Sequence, residues 1–323
     1  VEFPTSTATD VVRVRVATSF ISHEQAATNM RREVGSGTDY ETVAERARVE
    51  WSNLLGRVDV LETSPGEAKA REQIQTFYTS LYRALLFPRR LDEVTSEGKV
   101  VHWSPYAMGG NRKPMYDGPG VTDNGFWDTF RTVYPLLTLL YPDKIGDILQ
   151  GWVNAYVEGG WLPKWASPGY RDSMVGTYCD VVLADAIVKN VVGFDRAKAW
   201  EAIKKDTDTT PPLALAKGRG IGRKKLAEYK KLGYVSTSGG TESTSRTLDF
   251  AYADWAAANA ANALGHVNDA SALRERAKRA YRSMFDANAK MMSPRSTRAI
   301  TDSASTSPCP TITALSFARV NPV

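Results

Sequence analysis

The sequence predicts a mainly helical protein whose helices pair into an α/α toroid. Two observations predict this fold: apolar residues recur with a helical period in seven segments, and Gly or Pro breakers separate those segments. A third observation excludes one class of helical fold. No strict repeat of about 34 to 45 residues is present, which argues against TPR and HEAT solenoids. The arrangement still compatible with the sequence is a toroid of antiparallel helix pairs with unequal loops. The functional residues are expected on the loops at one open end of this toroid.

The N-terminal part is predicted to contain one strand and two capped helices. Residues 11–16 alternate apolar and charged side chains, as in a half-exposed strand, and we interpret them as the last strand of a β domain. Residues 22–25, Ser-His-Glu-Gln, form a capping box that predicts a helix to about Arg32. Residues 64–67, Ser-Pro-Gly-Glu, form a second one and predict a long helix through Leu86.

The remaining predicted elements are helices. The periodic apolar segments lie at 129–141, 143–157, 178–191, 195–205, 224–232, 247–264 and 269–286. The breakers between them are Tyr141-Pro142, Gly159-Gly160, Pro211-Pro212 and Gly239-Gly240. Residues 296–323 are dominated by Ser, Thr and Pro, so this tail is predicted to be irregular, either linker or disorder.

Composition excludes several classes of protein. The 323 residues, 42% hydrophobic and 24% charged, are typical of one large globular domain or two ordinary ones. No apolar run reaches the roughly 18 residues of a membrane helix. Two cysteines argue against a disulfide scaffold, and three widely separated histidines argue against most zinc enzymes and a histidine-based nucleophile relay. No signal peptide is visible at Val1, so the compartment is not determined, and we favour a secreted or extracellular setting.

The positive charge of the chain is modest. The net charge of +5 indicates a nucleic-acid partner only weakly. A basic cluster surrounds three glycines, and we interpret it as a solvated loop and helix face because only one aromatic residue is interleaved with it. It does not follow a predicted strand, so a dinucleotide site is not indicated. Its members are Lys217, Arg219, Arg223, Lys224, Lys225, Lys230 and Lys231.

Three loops rich in aromatic residues, Gly and acids are the candidate functional segments. In the first, 123–132, Trp127 is predicted to be a stacking platform for a ligand and Asp128 an acceptor for ligand hydroxyls. The alternative is that Asp128 caps the following helix. In the second, 159–165, two tryptophans beside Gly and Pro predict a pocket wall, and the alternative is that both rings plug the toroid. In the third, 173–180, Cys179 is predicted to be a buried thiol and not a nucleophile.

Together the three loops resemble a known family. FWDTFRT at 126–132, GWLPKW at 160–165 and MVGT at 174–177 resemble glycoside hydrolase family 92, the calcium-dependent exo-α-mannosidases. EYKKLGY at 228–234 and SRTLDFAY at 245–252 continue the resemblance, and SFIS at 19–22 is similar to the exit from the family's β-sandwich. The resemblance covers about residues 10–295, in order.

The resemblance implies a fold and a domain organisation. Residues 1–18 would end an N-terminal β-sandwich, 19–65 would form linker helices, and 66–295 would form an incomplete (α/α)6 barrel, with the tail at 296–323. It also implies inverting, calcium-dependent hydrolysis of terminal α-mannosides on N-glycans. The implied substrate-binding residues are Trp127, Asp128 and Trp165. The partner would be a mannose-containing glycan or glycoprotein, with no nucleic acid and no membrane.

The sequence also departs from the family's pattern. The family's acid lies in an EGN motif and its base in a GNDD motif, and neither is present, so both are expected beyond residue 295. Tyr178 stands where the family often has His, and Asp249 stands in place of Glu. No calcium ligand is identified in this chain.

Three alternatives stay open at this stage. The first is a helical toroid that binds a glycan or a partner without turnover. The second is an incomplete toroid that does not fold stably, and the third is a working acid–base pair within the chain itself. The loop or near-loop carboxylates available for such a pair are Asp123, Asp128, Glu158, Asp172, Asp180, Glu242 and Asp249.

Overall fold

The computed structural model describes residues 14–35, 37–61, 68–108, 115–239 and 241–297, and this part of the chain is mainly helical. Its helices are α1 His23–Asn29, α2 Tyr40–Leu55, α3 Ala68–Ala84, α4 Phe126–Thr129, α5 Val133–Leu140, α6 Pro142–Gly159, α7 Cys179–Val188, α8 Arg196–Asp208, α9 Leu213–Ala216, α10 Leu226–Leu232, α11 Ser243–Ala263 and α12 Val267–Met284. No helix in these ranges is long and apolar enough to cross a membrane.

The seven periodic segments all contain helices, namely α5 to α8 and α10 to α12. Their boundaries follow the predicted breakers. Pro142 occupies the first turn of α6, where its missing N–H costs no hydrogen bond. Gly160 ends α6 in the left-handed conformation, with φ at 79°, which glycine adopts without strain. The mainly helical class is therefore confirmed, while closure into a partial (α/α)6 barrel stays a prediction.

The first helix begins where its cap predicts. The hydroxyl of Ser22 accepts a hydrogen bond from the backbone N–H of Gln25 at 3.1 Å. The reciprocal half of the capping box is not formed, because the Gln25 amide donates to Asn29 and to the Val94 carbonyl instead. A π-helical turn, Met30–Val34, extends the helix slightly beyond the predicted end. The second capping box, at 64–67, lies outside the described residues, and α3 follows it.

The strand predicted at 11–16 is not found in its described part. Residues 11–13 lie outside the described ranges, and residues 14–16 belong to no strand. Val14 and Val16 are both largely exposed. The strand therefore stays a prediction, because an alternating pattern forms a ladder only where a neighbouring strand supplies backbone partners.

In the ranges that the structure describes, four small antiparallel sheets connect the helices, and the sequence did not indicate them. Their strands are β1 Arg89–Arg90, β2 Asp92–Val94, β3 Val100–His102, β4 Tyr116–Asp117, β5 Val121–Thr122, β6 Asn124–Gly125, β7 Trp165–Ala166, β8 Phe285–Asp286 and β9 Met291–Met292. The pairs are β1–β5, β2–β3–β4, β6–β7 and β8–β9. Strands of two or three residues are too short for an alternating pattern to reveal.

The core lies between α6, α7, α8 and α11. Helix α11 packs against α12, α7 and α8, and its buried positions are mostly alanine, which lets the neighbouring helices approach closely. Helix α7 is buried on nearly every side. The largest buried side chain, Trp152 of α6, donates its indole N–H to the Tyr134 hydroxyl at 2.8 Å. This core supports the loops that enter β6, β7, α7 and α11.

Candidate functional site

The first two aromatic loops are joined by a backbone pair. In the β6–β7 ladder, Gly125 lies opposite Trp165. A Cβ at position 125 would lie 2.5 Å from the Trp165 ring, so only glycine lets that indole lie against the strand. Phe126, the next residue, is fully buried and packs edge-to-face on Trp152 with ring centroids 4.8 Å apart. The loop that carries Trp127 and Asp128 is thus fixed to the core on one side and to the Trp165 strand on the other.

Trp127 and Asp128 project outward from this junction, and both are exposed. The guanidinium of Arg131 lies 4.9 Å from the Trp127 ring centroid and donates to the Trp127 carbonyl oxygen. Helix α4 begins after Gly125, which has no side chain with which to cap it. Asp128 lies inside this helix, so the interpretation of Asp128 as its cap is wrong, because the cap position lies three residues earlier. Asp128 is exposed and directly follows the exposed Trp127 in sequence.

The two tryptophans of the second loop differ in environment. Trp161 is buried in the core, with the Lys205 ammonium 4.7 Å from its ring centroid. Trp165 is only half-buried, against Gly125. Trp161 is therefore buried, as the plug interpretation requires, whereas Trp165 is only partly buried and part of its ring stays accessible.

The third loop holds a strained aromatic residue. Tyr178 is the N-cap of α7 with φ at 47°, a left-handed conformation that side chains rarely adopt. Its ring lies over Gly176 and stacks on Phe130 with centroids 4.0 Å apart. Its hydroxyl donates to Oδ1 of Asp249 on α11 at 2.5 Å. Tyr178 thereby connects the Trp127 loop to α11.

The Asp249 carboxylate is partly enclosed. Burial raises its pKa, while the hydrogen bond from Tyr178 and the charges of Arg131, Arg246 and Lys164 lower it, and burial prevails. Burial together with this hydrogen bond also raises the pKa of Tyr178, so its hydroxyl keeps its proton. In this hydrogen bond Tyr178 is the donor and the Asp249 carboxylate is the acceptor.

Lys164 forms a second polar group near Trp165. Its side chain is 6% exposed, and Nζ lies 3.4 Å from the carboxylate of Asp172, which also pairs with Lys224 at 2.6 Å. Burial lowers the pKa of Lys164. Asp172 is thus occupied by two cations and is a poor candidate for proton transfer.

A buried ion network lies beneath the third loop. Arg223, fully buried, pairs with Asp180 at 3.2 Å and with Asp254 at 2.5 Å. Arg276 adds a second cation to Asp254 at 2.6 Å. Arg223 belongs to the basic cluster predicted to be a solvated face, and for this residue the prediction is wrong, because two buried carboxylates draw it inside.

The network also fixes the turn that carries Tyr178. The Asp180 carboxylate accepts hydrogen bonds from the Thr177 hydroxyl at 2.7 Å and from the backbone N–H of Val181 at 2.9 Å. Asp180 is therefore a structural residue. Cys179 beside it is fully buried, and burial raises its thiol pKa well above the ordinary value, in agreement with the predicted buried thiol.

Sequence reasoning missed a buried pair between α6 and the three-stranded sheet β2–β3–β4. His102 Nε2 lies 3.0 Å from Glu158 Oε1, and both side chains are at most 5% exposed. The other ring nitrogen, Nδ1, lies 2.9 Å from the Gly118 carbonyl oxygen. Burial lowers the pKa of His102, but the hydrogen bond and charge of Glu158 outweigh that effect and raise it. No spacing rule links positions 102 and 158, so only the fold could reveal this pair.

A calcium site is not found in the described part of the chain. Within the ranges from 14 to 297 that the structure describes, no three His, Cys, Asp or Glu side chains come together as a group that could hold a metal ion. The described residues therefore do not fit a calcium ion.

Comparison with known proteins identifies relatives of this chain. Residues 25–306 match the glycosyl hydrolase family 92 catalytic domain. An uncharacterised secreted glycosidase from Arthroderma benhamiae is 28% identical over 257 residues, which cover 76% of this chain and 27% of that protein.

Solved structures agree with this match. A family GH92 inverting mannosidase from Bacteroides thetaiotaomicron is 40% identical with a TM-score of 0.78, covering 87% of this chain and 36% of that one. A family GH92 α-mannosidase from the same organism is 27% identical with a TM-score of 0.71, covering 87% of this chain and 34% of that one. That α-mannosidase has also been solved in complex with mannoimidazole. The chain therefore spans about a third of the length of these solved relatives.

Proposed function

The chain belongs to glycosyl hydrolase family 92, and from this premise we propose that it is part of an exo-α-mannosidase that releases terminal mannose from N-glycans. The carrying observation is the β6–β7 junction, where exposed Trp127 and Asp128 emerge beside half-buried Trp165. A mannoside presents an apolar ring face and several hydroxyl groups. An indole matches the ring face and a carboxylate matches the hydroxyls.

The roles of the three residues follow from their surroundings. Trp127 and Trp165 are proposed to stack on the sugar, because their rings are accessible while the neighbouring Trp161 is buried. Asp128 is proposed to accept hydrogen bonds from sugar hydroxyls, because its carboxylate is exposed next to Trp127.

The proposed reaction is inverting hydrolysis. It needs one carboxylic acid to protonate the leaving oxygen and one carboxylate to activate a water, roughly 6.5–9.5 Å apart. We place both beyond residue 295, as the family resemblance implies. The ion pairs of Asp172 and Asp180 support this placement, because they occupy two of the loop carboxylates that could otherwise have served.

Calcium dependence is proposed for the whole enzyme only. A hard cation with oxygen ligands would bind sugar hydroxyls, but its protein ligands are proposed to lie outside the described residues. A secreted or extracellular setting is proposed as well, supported by the relative described as a secreted glycosidase.

The proposed partner is a glycan or glycoprotein, with no nucleic acid and no membrane. The pairing of the basic cluster supports this choice. Lys224 pairs with Asp172, and Lys230 lies 3.8 Å from Asp208. Because carboxylates of the same chain neutralise part of this cluster, it is a weak phosphate-binding surface.

Binding of methyl α-mannoside to this chain tests the proposal directly. Isothermal titration calorimetry should detect binding to the unaltered protein and weaker binding to methyl α-glucoside. Trp127→Ala should weaken mannoside binding about five- to tenfold, because one stacked ring face contributes on the order of 1 kcal/mol. Trp255→Ala is the matched control, since Trp255 is exposed to nearly the same degree, 37% against 36%, and lies on α11.

A turnover assay tests whether the acid and the base lie within this chain. Hydrolysis of an α-mannoside by this chain, lost on addition of a calcium chelator, would show a working site within it and overturn the placement of the acid and base. Binding without hydrolysis is the expected result. The mannoside proposal would be wrong if no binding were detected, or if Trp127→Ala and Trp255→Ala bound equally well.

A further inference from the structure

The structure connects one more carboxylate to the first tryptophan loop through Tyr178. We propose that Asp249, held in place by Tyr178, is a second hydroxyl-binding and specificity-determining residue of the mannoside site, acting through its free oxygen Oδ2. This inference rests on the proposed function, because it assumes that a mannoside occupies the site beside Trp127.

Contacts connect Asp249 to the Trp127 loop. The Arg131 guanidinium lies 4.9 Å from the Trp127 ring centroid and 5.7 Å from that of Tyr178. The Tyr178 hydroxyl then donates to Oδ1 of Asp249 at 2.5 Å. An unbroken series of contacts therefore runs from the exposed indole to this carboxylate.

The second tryptophan loop also approaches Asp249. The charge of Lys164, which directly precedes Trp165, acts on the Asp249 carboxylate, as does the charge of Arg131 four residues after Trp127. The carboxylate thus lies within electrostatic reach of both loops.

One oxygen of Asp249 is available to a ligand. Oδ1 accepts from Tyr178, while Oδ2 has no hydrogen-bond partner among the residues that the structure describes. The side chain is half-buried, so it is neither sealed in the core nor fully hydrated. A carboxylate oxygen in such a place accepts a strong hydrogen bond from a hydroxyl group, because little competing water surrounds it.

The groups that face Asp249 come from every neighbouring element. Tyr178 faces it from the N-terminus of α7, Arg246 from α11, and Arg131 and Lys164 from the loops, and all four favour its charged form. Tyr281 of α12 also senses its charge. Burial outweighs them and keeps the pKa of Asp249 above its usual 3.8. Its charge is therefore lost at a higher pH than that of an ordinary aspartate.

The test is calorimetric binding of methyl α-mannoside over a pH series that descends from 7 into the acid range, because the pKa of Asp249 is raised. Asp249→Asn should weaken binding at pH 7 about 10- to 100-fold, the loss expected when a charged acceptor becomes neutral. It should also remove the decline of affinity on the acid side. Asp249→Glu should retain that decline, because it keeps the carboxylate.

Tyr178→Phe gives a readout that a purely structural role would not produce. Its hydroxyl lowers the pKa of Asp249, so its removal should move the acid-side decline to higher pH. The matched controls are Asp147→Asn and Tyr40→Phe, both at exposed helix positions elsewhere, and both should bind like the unaltered protein. Circular dichroism checks the fold of each variant.

The outcomes distinguish the two proposals. If the unaltered chain does not bind the mannoside, both fail. If it binds and Trp127→Ala weakens binding, while Asp249→Asn keeps the affinity and the pH profile, the role of Asp249 alone is overturned. If Asp249→Asn does not fold, an unchanged pH profile in Tyr178→Phe overturns it equally.

Discussion

Replacement of Arg223 by Ala should be among the most damaging changes to this fold. The guanidinium is fully buried and pairs with Asp180 at 3.2 Å and with Asp254 at 2.5 Å. Burial disfavours its charge, but the two carboxylates outweigh that cost and raise the pKa of Arg223. It therefore remains a cation, and its removal leaves buried negative charge behind.

The size of the effect depends on which partners each carboxylate retains once Arg223 is removed. Asp254 still has Arg276 at 2.6 Å. Among the described residues, Asp180 keeps only neutral donors, the Thr177 hydroxyl and the Val181 N–H. Removal of one partner from a buried pair costs about 3–5 kcal/mol, so we expect the free energy of unfolding to fall by about 4 kcal/mol.

Chemical denaturation followed by circular dichroism measures this change. Arg48→Ala is the control, because the Arg48–Glu45 pair is 67% and 56% exposed and is screened by water, so its loss should leave the free energy of unfolding almost unchanged. Addition of Asp180→Asn to Arg223→Ala should recover about 1–3 kcal/mol, the coupling expected for groups in direct contact. A loss below about 1 kcal/mol in Arg223→Ala, or no recovery in the double variant, would refute the reasoning.

Three further predictions concern a buried core tryptophan, the pH dependence of a histidine–glutamate pair and a glycine that lies against a tryptophan ring. Trp152→Ala should lower the free energy of unfolding by about 3–5 kcal/mol, because it empties a fully buried site; denaturant titration checks this, and a loss under about 1 kcal/mol would contradict it. The His102–Glu158 pair raises the pKa of the histidine above its usual 6.5, so its stabilisation is fully present below about 6.5 and is lost as pH rises through the folded-state pKa. His102→Gln should remove this pH dependence from the melting temperature, and an identical pH profile in both proteins would show that the pair contributes nothing. Gly125→Ala should displace the Trp165 ring, destabilise the fold by about 1–3 kcal/mol and weaken mannoside binding; unchanged tryptophan fluorescence and affinity would contradict the assigned contact.

Local signals predicted the helices well. Seven apolar segments and their breakers located α5 to α8 and α10 to α12, because helical period and helix-ending residues are properties of adjacent positions. The strands were missed because strand pairing joins residues that are far apart in sequence. A pair such as Gly125 and Trp165 is 40 positions apart in sequence, and no neighbouring residue signals it.

The candidate site was predicted in part. The motif at 126–132 identified Trp127 and Asp128, and the motif at 160–165 identified Trp165. The sequence could not separate the half-buried Trp165 from the buried Trp161, because both lie in the same short loop. Their difference depends on which one reaches the β6–β7 ladder.

The amino-acid sequence by itself determined the helical class, the family and the three loops, since these depend on local pattern and on motifs. Only the tertiary structure decided that Arg223 is buried, that His102 meets Glu158 and that Tyr178 holds Asp249. The physical reason is that burial and pairing depend on distances between residues far apart in sequence. Packing of the helices sets those distances.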